Sequence, residues 1–274
     1  MKSKICLVYF FLLLFTLPLF SQSYRSYYQR RNIRLYEKPL NLIDNPTANF
    51  LDSTYFQVKL RMYGEGGMLA GFNIQVKKHI MLGVSYGGQN VIGYGTIKWN
   101  EAPGIQLRFQ VLPETYTMPA FSIGFNSQGY GAYYTATDSS SGRYQIKPKG
   151  FYIVGSKNYT SFMGGIGMHA GLNYTNDKKG TDQDINFFLG ASIVFRGDIS
   201  ILVEHDFAIN DNDKNSIGTG KGYTNAAVRW FVSKNLLLEF SVKNLLKNNK
   251  LVHGIEEVPN ENREIKLIYF QDLR

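Results

Sequence analysis

Few side chains in this sequence can do covalent chemistry. Four histidines (His79, His169, His205 and His253) and one cysteine, Cys6, stand among 274 residues. A single cysteine excludes a disulfide framework and a cysteine-based zinc site. A serine acyl hydrolase needs a His within hydrogen-bond reach of its Ser, and a polar group to orient that His. His205 is the odd histidine, because it interrupts an apolar row between Val203 and Phe207. Ser156 can be placed on another outward row, but no spacing brings the two together. His205 therefore reads as an interfacial residue, and a membrane-embedded lipid hydrolase stays an alternative. His79 and His253 fall in connections, while His169 points inward with Gly165, Gly167 and Asn173.

Binding motifs are equally sparse. Asp206, Asn210, Asp211, Asn212 and Asp213 supply hard oxygen donors of the kind calcium prefers. The same residues make an ordinary surface turn, so neither a metal nor another cofactor is expected. Gly64-Glu65-Gly66-Gly67 and Gly218-Thr219-Gly220-Lys221-Gly222 lack the strand–loop–helix setting of a phosphate cradle. The glycines at 164, 165, 167 and 171 remove side chains from a wall, making room for a neighbour or a plug.

The elements that would position these residues are strands. Thr54, Phe56, Val58, Leu60 and Met62 alternate with Tyr55, Gln57, Lys59 and Arg61, and the same period recurs along the chain. Segments of this kind lie at 53–63, 67–77, 80–89, 104–112, 118–126, 149–158, 161–173, 184–195, 198–208, 221–232, 235–244 and 263–270. Their lengths suit strands that cross a bilayer at a tilt. Short connections alternate with long ones rich in Gly, Asn, Asp and Ser, the asymmetry of an outer-membrane barrel. Gly64 to Gly66 is the exception, being short where a long loop is due. The fold class expected is all-β: an antiparallel transmembrane β-barrel of about twelve strands, closed because lipid leaves no water for open edges. A soluble β-sandwich is the competing architecture.

The first 21 residues have the pattern of a secretory signal peptide, with Lys2 and Lys4 before the apolar run Ile5–Phe15 and a small-residue cut after Ser21. Its removal lowers the formal charge from +9 to +7. The organisation expected is a signal peptide at 1–21, an N-terminal periplasmic segment at 22–52 and a barrel at 53–274, monomeric and in the outer membrane. Arg25, Arg30, Arg31, Arg34 and Lys38 make the segment basic. That suits a solvated tail or contact with anionic lipid or polysaccharide.

The polar rows hold the candidate lumen residues. Lys59, Arg61, Lys77, Arg108, Arg229, Lys243 and Lys266 are basic; Glu204, Asp206, Glu239 and Glu264 are acidic. The excess is +3, so a pore would favour anions and a bound glycan would be acidic. In so small a barrel Arg108 and Arg229 can also pair with Glu204 and Asp206 and close the passage. Tyr130, Tyr133 and Tyr134, in the longest loop, are candidates for stacking on sugar rings or for packing inside the barrel.

Three stretches resemble the YjbH-type exopolysaccharide-associated outer-membrane proteins. They are Leu42-Ile43-Asp44-Asn45-Pro46-Thr47-Ala48; Pro113-Glu114 with Met118–Phe125 and Gly129-Tyr130-Gly131; and Tyr152-Ile153-Val154-Gly155-Ser156-Lys157. The resemblance covers about residues 40–160, and the family members are often longer, with further domains. It implies a non-enzymatic barrel linked to exopolysaccharide or capsule production or export, with no catalytic residues to carry over. The partners expected are outer-membrane lipids, acidic polysaccharide and envelope export proteins, and nucleic acid is not among them. A general anion-preferring solute channel is the main alternative.

Overall fold

The computed structural model describes residues 38–51, 54–134, 143–161, 164–175, 182–195, 199–213, 216–250 and 262–273. The signal peptide, the arginines at 25–34 and His253 lie outside them.

Alternation of side chains makes twelve strands into one closed wall. The strands are β1 (Tyr55–Tyr63), β2 (Gly67–Lys77), β3 (Ile80–Gln89), β5 (Gly104–Leu112), β6 (Ala120–Asn126), β9 (Gly150–Ser161), β10 (Gly164–Tyr174), β11 (Asn186–Phe195), β12 (Ile199–Asp206), β13 (Tyr223–Phe231), β14 (Leu236–Lys243) and β15 (Asn262–Asp272). Each pairs antiparallel with its sequence neighbour in this series, and β1 pairs with β15 from Tyr55↔Asp272 to Met62↔Ile265. That last ladder closes the sheet, so no edge is left to face hydrocarbon. Two-residue β4 (Lys98–Trp99) pairs antiparallel with the end of β3, and β7 (Tyr130–Tyr134) and β8 (Arg143–Ile146) form a separate hairpin in the longest loop.

The outer face carries Val84, Ile105, Ile153, Val203 and Phe240, all exposed. In water such a surface would be a liability; in a bilayer it is the lipid-facing band. The inner face holds Gln57, Arg61, Asn73, Arg108, Glu204, Arg229, Glu239 and Lys266, all buried. The protein is an antiparallel transmembrane β-barrel of the outer-membrane type.

Two local features explain departures from simple alternation. Glu65 and Gly66 both have φ of 60°, and the Gly67 N–H donates to the Gly64 carbonyl at 3.3 Å. Positive φ at both central residues is what a two-residue hairpin needs. A Cβ on Gly66 would meet the Ile92 carbonyl oxygen at 1.9 Å, so the position also demands glycine for space. The second feature is a bulge between Gln75 and Lys77. One extra residue reverses the facing that follows it. Lys77 therefore shares the row of outward Ile80 and is exposed at the barrel's end, not in the lumen as the alternation alone implied.

Arg introduced at Leu107 or Val203, on the outer face, is expected to cost roughly 2–4 kcal/mol in bilayer refolding titrations. Arg at Gln106, on the inner face, is expected to be tolerated better.

Candidate functional site: a plugged lumen

An irregular segment inside a membrane barrel must find partners for every backbone group, because it has no ladder of its own. Residues 38–51 are such a segment. The periplasmic placement expected for 22–52 does not hold for this part: Leu42, Asn45, Thr47 and Ala48 are fully buried among wall residues. The segment doubles back as a tight hairpin. The Leu42 N–H donates to the Asn45 carbonyl at 2.9 Å, and the Thr47 N–H to the Leu40 carbonyl at 3.1 Å. Lys38 contacts Glu114, in the short connection after β5, at 2.5 Å. The hairpin thus enters from the short-turn end, with Ile43, Asp44 and Asn45 at its tip.

The wall receives this hairpin charge by charge. Glu204 accepts the N–H groups of Ile43 at 2.9 Å, Asp44 at 3.0 Å and Asn45 at 3.0 Å, and the Asn225 side chain donates to it at 2.8 Å. Successive N–H groups turned to one anion form a nest. The carbonyls go to cations. Arg108 donates to Leu40 and Asn49, each at 2.9 Å, Arg229 to Asn41 at 2.8 Å and Leu42 at 2.6 Å, and Lys266 to Ile43 at 2.9 Å. Glu239 lies between Arg229 and Lys266, 2.5 Å from each. The pairing of Arg108 and Arg229 with Glu204 and Asp206 therefore does not form. Arg229 bonds Glu239, Arg108 bonds backbone and the Tyr152 hydroxyl at 3.0 Å, and Asp206 bonds Lys149. Lys59 also points inward, with no carboxylate in ion-pair reach among the described residues.

At the tip, Asp44 is 2.8 Å from Arg61 Nη1 and 2.6 Å from Lys243 Nζ, and it accepts from the Tyr130 hydroxyl at 2.6 Å. Glu264 completes the cluster, 3.2 Å from Lys243 and 3.6 Å from Arg61. Burial alone would raise the Asp44 carboxyl's pKa, but Lys243, Arg61 and Lys266 together hold it well below the usual 3.8. Apolar contacts seat the rest: Leu42 and Ile43 against Leu202 and Ala227, and Ala48 against Ala120, Tyr152, Val154 and Phe188.

Tyr130 is therefore buried and bonded to the plug, so it is no surface for stacking a sugar. Its ring lies edge-on to Tyr63 at 5.3 Å and under the Arg61 guanidinium at 4.3 Å. Tyr133 keeps an exposed ring, edge-on to Tyr144 at 5.0 Å, and Tyr134 is half-buried. The glycine that makes room for the plug is Gly190, where a Cβ would meet Leu42 Cδ1 at 2.4 Å. Gly171 instead makes room for Phe188, within 2.5 Å.

Ser156 faces inward, on the opposite face of the wall from His205, and accepts the Ala48 N–H at 2.8 Å. Its hydroxyl also lies 2.8 Å from His169 Nδ1. This Ser–His pair is buried, and His169 Nε2 has no partner among the described residues, so the group that would orient a catalytic His is missing. His205 bonds Thr224 at 2.8 Å and packs on Phe207, on the outer face at the long-loop end. Asp211 binds Arg143 and the Tyr223 hydroxyl, and no acidic or histidine cluster able to hold a metal occurs among the described residues.

No family model matches the chain, and no curated protein sequence matches it. Among solved structures, NanC porin aligns over 79% of this chain and 99% of its own, at 8% identity and a TM-score of 0.44. KdgM porin aligns over 78% and 98%, at 11% identity and 0.43. An outer-membrane channel from Pseudomonas putida F1 aligns over 82% and 98%, at 8% identity and 0.42. Likeness at this level is too low to carry an argument about cargo.

Replacing Glu204 with Ala strands three N–H groups, two of them buried, and is expected to cost about 3–5 kcal/mol of plug seating. Proteolysis within 38–51 in the variant, against resistance in the native protein, is the readout. The pH dependence follows from Asp44. A depressed carboxyl pKa gives stability that is complete above 3.8 and lost as pH falls through the lower folded value. The difference in hydrogen-exchange protection of the plug between the native protein and Asp44→Asn, which isolates this carboxylate from Glu204, is expected to be full down to pH 3.8 and to shrink below it.

Proposed function

We propose that this barrel is a gated outer-membrane channel for small anionic solutes, with residues 38–51 as its gate. The supporting observation is the plug itself. Four of its N–H groups (Ile43, Asp44, Asn45 and Ala48) and six of its carbonyls (Leu40, Asn41, Leu42, Ile43, Ala48 and Asn49) bond polar or ionic side chains of the wall, and such contacts can be exchanged for water or solute. With Lys77 outside, six basic residues (Lys59, Arg61, Arg108, Arg229, Lys243 and Lys266) remain inward against four acidic ones (Glu204, Asp206, Glu239 and Glu264). A positive excess between low-dielectric walls enriches anions.

A second reading is supported by a different observation. The three stretches that resemble the YjbH-type proteins meet at one place: Leu42–Ala48 form the plug, Ser122 donates to the Ala48 carbonyl at 3.2 Å, and Tyr130 reaches Asp44. Tyr152, Val154 and Ser156 line the same seat. On this reading the barrel serves exopolysaccharide production or export, and the plug seat is what the resemblance marks.

The experiment is planar-bilayer recording of the native chain against a variant in which 40–49 is replaced by a Gly/Ser linker of equal length. The native protein is expected to be mostly closed. The variant should conduct steadily, with a reversal potential under a salt gradient that shows anion preference. Cation preference would overturn the proposed selectivity, and no conductance in the variant would favour a closed scaffold and the second reading.

A further inference from the structure

The tip of the plug carries a carboxylate into a site built from the wall. Arg61, Lys243 and Tyr130 are buried, and all three bond Asp44. Glu264 shares the same two cations, so two cations face two carboxylates. Asp44 and Lys243 also line a small cavity of about 70 Å³ on the long-loop side of the plug. Its lining is rich in side-chain amides, among them Asn173, Asn186, Asn225 and Asn262. An amide offers both donors and an acceptor, the pairing that vicinal hydroxyls need. The Asn244 Nδ2 at this lining is buried and has no partner among the described residues.

We propose that Arg61, Lys243 and Tyr130 form a binding site for the carboxylate of an acidic saccharide, and that Asp44 occupies it as a tethered competitor. This rests on the channel reading above and names the solute and the trigger. Exchange of one carboxylate for another leaves the cluster's charge unchanged. A neutral sugar in the same place would leave Arg61 and Lys243 with Glu264 alone, and a buried unpaired charge is costly. The site therefore discriminates by charge, and the amide lining accepts the hydroxyls. Displacement is also eased by the plug's own imperfection. Asn45 is fully buried, yet neither atom of its side-chain amide has a partner among the described residues. Such unsatisfied groups weaken the seated state. Once Asp44 is displaced the tip keeps the Glu204 nest, so the saccharide shifts an equilibrium between seated and released plug.

The test records the full-length native protein in planar bilayers with D-glucuronate on the long-loop side and D-glucose as the neutral control. Glucuronate is expected to raise the open probability about tenfold, and glucose to leave it unchanged. Asp44→Asn is expected to be open more often without any sugar and to gain nothing from glucuronate. Lys243→Gln is the second variant, should the first not fold by heat-modifiable mobility, and it is expected to lose the glucuronate response. Equal effects of the two sugars, or no effect of either while the 40–49 linker variant conducts, overturn this inference and leave the channel reading standing. If the linker variant does not conduct, the channel reading falls. The site is then decided by calorimetric titration of glucuronate into the native protein in detergent, where absence of binding overturns it.

Discussion

In hydrocarbon, a backbone N–H or carbonyl without a partner costs several kcal/mol, and no water is present to supply one. The ladder between β1 and β15 meets this constraint by joining the first strand to the last. Everything else in the protein follows from that closure. A closed sheet divides its side chains into two environments, so Val203 meets lipid while its neighbour Glu204 is enclosed. The enclosed space must then be filled by water, by side chains or by chain. Here it is filled by chain.

The same constraint explains why the wall is so charged. A hairpin of fourteen residues without a sheet of its own brings orphan N–H and carbonyl groups into the interior. Glu204 receives three of those N–H groups, and Arg108, Arg229 and Lys266 serve the carbonyls of residues 40–43 and 49. The wall's ions thus act as backbone partners before they act on any solute. Charged donors and acceptors suit this role because their hydrogen bonds are stronger than neutral ones. On the proposed channel reading they would keep their charge once the hairpin leaves, which joins the plugged structure to a selective passage.

Much of the frame was legible along the chain. Alternation located all twelve strands, and Gly-, Asn- and Asp-rich stretches located the connections, because the period of two follows directly from strand geometry. Inward facing was legible for Arg61, Arg108, Arg229 and Glu239, which sit in regular strands. It failed at Lys77, where a bulge inserts one residue, since a bulge is a matter of register between two strands and leaves no mark in the alternation of one. The resemblance drew attention to Leu42–Ala48 without saying where that segment lies.

Local pattern determined the strands, their two faces and the separation of short from long connections, because each depends on residues close in sequence. The plug, its seat and the role of each ion depend on pairs far apart, such as Glu204 with Ile43 or Lys243 with Asp44. Charge type alone made Arg108 and Arg229 equally suited to Glu204, to Asp206 or to a run of carbonyls. Only closure of the barrel, which fixes how far each side chain reaches across the lumen, chose among them. It buried Tyr130 beside Asp44, opened Gly190 for Leu42 and placed Ser156 beneath Ala48.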